Sequence, residues 1–95
     1  MPSQFARQRR AAFDEQDRRC YYCSRRMWWS SPGEIGPGAK TDLQCTAEHL
    51  HARRDGGPNS TTNIVAACRS CNAGRHAMSP PLDPAEYKAH VLRGQ

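Results

Sequence analysis

The sequence lacks long apolar runs, and hydrophobic residues make up only 37% of its 95 residues. No segment approaches the length that spans a membrane, and no apolar stretch opens the chain in the manner of a secretion signal. We therefore expect a soluble, cytoplasmic protein with a single domain over residues 1–95. A core this small buries too little apolar surface to be comfortably stable, so a further source of stability is expected.

The spacing of the cysteines indicates that further source. Four of the five cysteines form two C-x-x-C pairs separated by 44 residues, Cys20 with Cys23 and Cys68 with Cys71. Each pair can turn both sulfurs toward one ion, and two pairs complete a tetrahedron around Zn²⁺. The odd cysteine count and the lack of a secretion signal favour a structural zinc over a disulfide framework or a redox pair. Cys45 is left over as a small buried hydrophobic residue.

Lysine is scarce, and most of the 14 cationic side chains are arginine. The acidic side chains number only nine. The formal net charge of +5 and the planar guanidinium groups favour a polyanionic partner, with nucleic acid first. Many small domains with such a charge bind no anion, so charge alone does not assign a function.

Hydrophobic periodicity and turn residues predict alternating helices and strands. Helices are predicted at 3–18, 68–78 and 84–93, and strands at 27–29, 43–51 and 63–68. The last helix has the clearest start, because Asp83 stands at its N-cap, Pro84 at its first position and Glu86 two residues further on. Glycine and proline mark 30–40 as an irregular loop, and 53–62 is a loop by composition.

Residues suited to chemistry on phosphates follow one another in a fixed order. The ordered set is Glu48, His49, His51, Asn63, Asn72, Arg75 and His76. The stretch AEHLHARRDGG…NIVAACRSCN resembles the motif of the HNH endonuclease family, in its His-Asn-Asn form. This resemblance extends from residue 20 to about 76. It implies an α+β fold, a small ββα-metal (His-Me finger) domain with a four-cysteine structural zinc. Its core would span 20–78, between an N-terminal helix at 1–19 and a C-terminal helix at 79–95.

The resemblance also implies an activity, the metal-dependent hydrolysis of phosphodiester bonds in DNA. His49 would be the general base that deprotonates water, and Asn63 would hold its imidazole and fix the loop. Glu48 and Asn72 would bind a catalytic Mg²⁺ or Mn²⁺. His76 would be either a third ligand, which widens tolerance toward Ni²⁺ and Co²⁺, or a surface histidine.

Basic residues around this set are expected to contact the nucleic-acid backbone. They are Arg53, Arg54 and Arg75, with His51 at the edge of the loop. Duplex DNA is the expected substrate, although nothing in the sequence discriminates against RNA. A double-strand break would require a homodimer, a second encounter or a protein partner that targets the nuclease. The resemblance implies a cytoplasmic enzyme encoded by a prokaryote or a phage.

Two alternatives stay open. Adjacent side chains of an ideal strand point to opposite faces, so Glu48 would turn away and His49 with His51 would be the metal pair. A twist or bulge at the strand end would instead let Glu48 and His49 share the ion. The family commonly has Asp where Glu48 stands, which leaves the exact position of the ion open. The second alternative is a non-catalytic, zinc-stabilised module that binds nucleic acid or protein.

Overall fold

Helices flank a two-stranded sheet in the computed structural model, which describes residues 4–51 and 63–94. Helix α1 spans Gln4–Glu15, strand β1 Cys45–His49, strand β2 Ile64–Cys68, helix α2 Arg69–His76 and helix α3 Pro84–Arg93. Two short 3-10 turns, Pro32–Glu34 and Thr41–Leu43, lie between α1 and β1. The predicted α+β class, with helices on either side of a ββα unit, is confirmed.

Strands β1 and β2 are antiparallel, and their register places Cys45 opposite Cys68 and His49 opposite Ile64. Strand β2 begins with β-branched residues, which favour extended backbone. It continues with Ala66 and Ala67, which have no exposed surface and let α1 pack closely against the strand. Helix α2 follows β2 directly and contacts both strands. The sheet therefore holds α2 beside the end of β1.

Helix α1 is shorter than the predicted span of 3–18. It ends at Glu15, and Asp17 and Arg18 have φ angles of 56° and 61°, in the left-handed region that terminates α-helices. The Arg18 N–H donates to the carbonyl of Phe13 at 2.8 Å, which closes this turn. Of the segment predicted as helical at 1–19, the described part is helical at Gln4–Glu15 and not at 16–19, and the turn leads into the first cysteine pair.

Helix α3 has the bounds predicted from its capping residues, 84–93, whereas 79–83 of the C-terminal segment predicted as helical at 79–95 are not helical. Asp83 accepts a hydrogen bond from the Glu86 N–H through Oδ1 at 2.9 Å, and Pro84 occupies the first turn. The strand predicted at 27–29 is wrong, because the backbone there forms only an isolated bridge between Trp28 and Gln44. The predicted loop 53–62 lies outside the described residues.

The core lies between α1, the first cysteine turn and the start of α2. Its largest fully buried side chains are those of Tyr22, Phe13 and Met27, and all five cysteines belong to it. Tyr87 of α3 closes one side by placing its ring edge-on to Tyr22, with ring centroids 5.0 Å apart.

Within residues 4–51 and 63–94, none of the helices has the length and hydrophobicity of a membrane span.

Candidate metal centres and active-site cleft

The two C-x-x-C turns bring four cysteine sulfurs together inside the core. The Sγ atoms of Cys20, Cys23, Cys68 and Cys71 all lie within 4.8 Å of one another, and all four residues are buried. The Sγ atoms of Cys23 and Cys68 are 3.9 Å apart. A tetrahedral zinc with Zn–S bonds of about 2.3 Å requires sulfurs about 3.8 Å apart. The cluster therefore has the donor set and the spacing of a closed structural zinc site.

Hydrogen bonds directed at the sulfurs favour negative charge on them. The backbone N–H groups of Tyr22 and Cys68 donate to Cys20 Sγ, each at 3.3 Å. The Arg25 guanidinium donates through Nε to Cys23 Sγ at 3.4 Å. Donors of this kind stabilise thiolates, the form in which cysteine binds metal.

Neighbouring sulfurs of the cluster differ strongly in pKa. Hydrogen bonds from the Cys68 and Cys71 side chains lower the pKa of Cys20 far below its ordinary range. The hydrogen bond to Cys20 raises the pKa of Cys68 to about 12. Cys20 thus takes the charge and Cys68 keeps its proton, because the hydrogen bond between them favours the thiolate at one sulfur and the thiol at the other. Ionisation of all four requires a positive ion among them.

Cys45 is buried with 2% of its surface exposed, and it lies outside this cluster. Burial raises the pKa of its thiol to about 12, which leaves it protonated and unreactive at neutral pH. The expectation of a buried fifth cysteine is confirmed.

An open cleft of about 700 Å³ lies beside the end of β1. One wall is formed by the end of β1 and one face of α2, and the other wall by residues 78–81. Five of the residues predicted as site residues line this cleft: Glu48, His49, Asn72, Arg75 and His76. The helix contributes three of them because positions three and four apart lie on one helical face.

Glu48 is 3% exposed, and its two carboxylate oxygens have different neighbours. Oε2 accepts hydrogen bonds from the Tyr22 hydroxyl and from Arg75 Nη1, both at 3.1 Å. Oε1 lies 3.1 Å from His76 Nε2. Arg75 is itself buried, and its Nε donates to the carbonyl of Leu82 at 2.8 Å. The prediction that Arg75 contacts phosphate stays a prediction, and in this structure its guanidinium is paired with Glu48.

Asn72 is oriented by the strand beside it. Its Nδ2 donates to Thr46 Oγ1 at 3.0 Å and to the carbonyl of Ala47 at 3.1 Å, so Oδ1 lies on the opposite side of the amide. Adjacent ligands of an octahedral ion with bonds of about 2.1 Å lie about 3.0 Å apart. Glu48 Oε1 and His76 Nε2 are hydrogen-bonded at 3.1 Å, a distance that is also close to that spacing. A carboxylate, an amide oxygen and an imidazole are a donor set that fits one divalent cation.

The positive charge of Arg75 opposes a cation at this place. Its Nη1 lies 3.3 Å from His76 Nε2, within the same group of atoms. Like charges at such distances repel, so the affinity for a second ion is expected to be modest compared with that of the cysteine cluster.

His49 is the last residue of β1 and faces a different neighbour from Glu48. Its ring stacks on Phe5 of α1, with centroids 5.8 Å apart and planes inclined by 16°. The pairing of Cys45–His49 with β2 is continuous, so the suggested bulge is absent from this strand as described. Both side chains nevertheless line the cleft, which opens at the strand end. His51 is exposed and is not among the described residues that line it.

Asn63 fixes the chain just beyond β1. It is 7% exposed; its Oδ1 accepts from the His51 N–H at 2.8 Å and its Nδ2 donates to the His51 carbonyl at 3.1 Å. Its own carbonyl accepts from the Leu50 N–H at 2.8 Å. The amide and the backbone of Asn63 both hold the residues that follow His49. The remaining predicted contacts with nucleic acid, Arg53 and Arg54, lie outside the described residues.

Two residues that touch this site, Tyr22 and Phe5, are not among the site residues predicted from the sequence. A tyrosine in a small core needs a partner for its hydroxyl, which is a signal that could have directed attention to Tyr22. Phe5, which is 38% exposed, gives no such signal before the packing of α1 is known.

The two strands, the helix that follows them and the four-cysteine cluster define a ββα-metal domain. A sequence model of the family described as HNH endonuclease matches residues 20–78. The match covers more than half of the chain, and the protein belongs to the HNH endonuclease family. Comparisons with curated proteins and with solved structures gave no significant match. The matched span contains both cysteine pairs, both strands and the residues of the cleft, which places the protein among nucleases at the level of its family.

Proposed function

We propose that this protein is a metal-dependent endonuclease that hydrolyses phosphodiester bonds in DNA. The observation that carries the proposal is the convergence of Glu48, His49, Asn72 and His76 on one open cleft. A non-catalytic zinc module has no need of a base and a set of cation ligands at the same surface. The opening of the cleft lets a phosphate within a polymer approach without threading a chain end.

The four cysteines are proposed to hold a structural Zn²⁺. Four buried sulfurs leave no open position on the ion, and an open position is what distinguishes catalytic zinc sites. The chemistry is therefore assigned to the cleft and the stability to the cysteine cluster.

His49 is proposed as the general base. Imidazole is the side chain best suited to accept a proton near neutral pH, and a positioned base contributes roughly 10²- to 10⁴-fold to rate. The stack on Phe5 restricts the orientation of the ring, and the bonds from Asn63 fix the backbone immediately after it. The base is thereby held at the edge of the cleft while water can still reach it.

Glu48, Asn72 and His76 are proposed to hold one divalent cation. When bound, the ion would stabilise negative charge on the phosphate and on the leaving 3′ oxygen. The oxygen donors suit Mg²⁺ or Mn²⁺, and the imidazole extends the range to Ni²⁺ and Co²⁺.

The expected substrate is duplex DNA, with RNA as the alternative to be compared. The net charge of +5, and Arg53 and Arg54 just beyond His51 in sequence, favour contacts with the phosphate backbone. Such contacts carry affinity without sequence information, so binding is expected to weaken steeply as salt rises.

The test is cleavage of supercoiled plasmid with Mg²⁺ or Mn²⁺ by zinc-loaded protein. His49→Ala is expected to lower the rate roughly 10²- to 10⁴-fold while zinc content and thermal unfolding stay at the wild-type level. His90→Ala is the matched control, because His90 is exposed on α3 and does not line the cleft. Parallel assays on single-stranded DNA and RNA identify the preferred substrate. Undiminished cleavage by a folded His49→Ala protein would contradict the proposal.

A further inference from the structure

The carboxylate of Glu48 has partners at both oxygens, but only Oε2 is held by buried donors. Oε2 accepts hydrogen bonds from the Tyr22 hydroxyl and from Arg75 Nη1, each at 3.1 Å, in the interior of the protein. Oε1 lies next to His76, whose side chain is 54% exposed at the cleft. Oε2 is thus occupied by buried donors, whereas Oε1 is hydrogen-bonded at 3.1 Å to His76 Nε2, which belongs to the side chain proposed to bind the same cation.

We propose that Tyr22 and Arg75 are positioning residues for cation binding, which fix Oε2 of Glu48 and so present Oε1 as a single ligand atom. The inference rests on the proposed function, since it assigns a role toward the cation of the same cleft. Glutamate has a longer side chain than aspartate and one more rotatable bond. Two donors on one oxygen remove this freedom before the ion arrives.

Both donors are themselves fixed by their surroundings. The Tyr22 ring has no exposed surface and packs edge-on against Tyr87, with centroids 5.0 Å apart. Arg75 is anchored by its second hydrogen bond, from Nε to the carbonyl of Leu82. Neither group can follow a movement of Glu48 without disturbing the core, so the carboxylate has one preferred orientation.

Tyr22 also connects the two candidate metal sites. It lies between Cys20 and Cys23, and its backbone N–H donates to Cys20 Sγ at 3.3 Å. Its hydroxyl donates to Glu48 at the other end of the same side chain. A single residue therefore spans the distance from the cysteine cluster to the cleft. The zinc turn, by fixing the Tyr22 backbone, fixes the position of the cation ligand.

The two donors differ in what their removal would do. Loss of the Arg75 guanidinium would leave a buried carboxylate without its charge partner, which destabilises the fold. Loss of the Tyr22 hydroxyl removes a neutral donor and keeps the charge pair. Groups that orient metal ligands in this way typically change metal affinity 10- to 100-fold when they are removed. Tyr22→Phe is therefore the cleaner variant.

The experiment measures Mn²⁺ binding to zinc-loaded protein without DNA, by the electron paramagnetic resonance signal of free Mn²⁺. Tyr22→Phe is expected to raise the Kd for Mn²⁺ roughly 10- to 100-fold, with zinc content unchanged. Tyr21→Phe is the matched control, since Tyr21 belongs to the same turn, stacks edge-on against Tyr22 and has Lys88 Nζ over its ring at 4.3 Å. It is expected to bind Mn²⁺ as the wild type does.

The role of Arg75 is tested by Arg75→Lys in the same assay. An ammonium group keeps the charge, but it lacks the planar pair of N–H donors that reach Glu48 and Leu82 together. The Kd for Mn²⁺ is expected to rise by a similar factor. Arg69→Lys, at the exposed start of the same helix, is the control and should leave the Kd unchanged.

Several outcomes would overturn the inference, and each is separable from failure of the proposed function. A Kd within twofold of wild type for both Tyr22→Phe and Arg75→Lys would show that Glu48 needs no positioning. Loss of zinc from Tyr22→Phe would show that Tyr22 acts on the fold instead. If the wild type itself binds no Mn²⁺, the proposed cation site fails and the inference fails with it. If the wild type binds Mn²⁺ and cuts DNA, a change of the Kd for Mn²⁺ in the variants reports on the positioning of Glu48 alone.

Discussion

The cysteine cluster and the cleft are both candidate metal sites, and they differ in the type and in the burial of their donor atoms. The cluster has four identical sulfur donors, all buried, from two turns of the same type. The cleft has a carboxylate, an amide and an imidazole, and its donors range from the buried Glu48 to the half-exposed His76. Identical soft donors in a closed shell favour permanent zinc binding, and mixed donors in an open cleft favour an ion that exchanges.

The comparison shows how a chain of 95 residues can combine a rigid fold with an accessible site. The cluster joins the first turn, β2 and α2, so that one ion organises elements that are distant in sequence. The cleft uses one of these elements, α2, together with β1, and it contains a buried ion pair that a stability-driven design would avoid. Removing each site in turn should therefore have very different consequences.

Removal of zinc is expected to have the largest effect. Structural zinc contributes on the order of 10 kcal/mol in small domains, which is comparable to the whole stability of a folded domain, about 5–15 kcal/mol. A strong chelator should therefore unfold the protein, as measured by far-ultraviolet circular dichroism together with the zinc released. Dialysis that removes only weakly bound ions is the control and should leave the spectrum unchanged. A zinc-free protein with the wild-type unfolding midpoint would contradict the structural role of the cluster.

Asn63→Ala is expected to have an intermediate effect, and to affect both stability and cleavage. The change removes two hydrogen bonds to the His51 backbone at a buried position, which costs on the order of 1–3 kcal/mol. Because these bonds hold the chain directly after His49, plasmid cleavage should also fall. Urea denaturation and nicking assays measure the two effects.

Asn63→Asp is the matched variant, because it keeps the acceptor for the His51 N–H and replaces the donor to the His51 carbonyl with a carboxylate oxygen. Since that oxygen is charged, buried and repelled by the carbonyl, Asn63→Asp should be less stable than the wild type although the acceptor is kept. If Asn63→Ala matched the wild type in both assays, the loop would be held by other contacts.

The parts of the fold that could be predicted are those fixed by local chemistry. Asp83 and Pro84 define the start of α3 by capping, which depends on a few neighbouring residues. The cysteine cluster follows from the spacing within each pair and from the affinity of sulfur for zinc. The match of α2 and β2 to prediction has the same origin, since β-branched and helix-compatible residues stand in short, well-separated runs.

The features that escaped prediction depend on contacts between distant residues. Helix α1 ends at Glu15 because the chain must turn toward the first cysteine pair, which local propensity does not show. The bond from Tyr22 to Glu48 joins positions 26 residues apart, and the inward direction of Arg75 depends on how α2 lies on the sheet. The order of the site residues could be read from the family motif, whereas their partners required the fold.

Cys45→Ala is expected to have the smallest effect, and it completes the comparison as the counterpart of a zinc-ligand variant such as Cys71→Ser. Cys45 is as buried as the ligands but lies outside the cluster, so its loss removes one core atom, at about 1 kcal/mol. Zinc content, measured by atomic absorption, should stay at one ion per chain in Cys45→Ala and fall in Cys71→Ser. If Cys45→Ala lost zinc, Cys45 would be needed for zinc binding. The assignment of four zinc ligands and one buried cysteine that does not bind the ion would then be wrong.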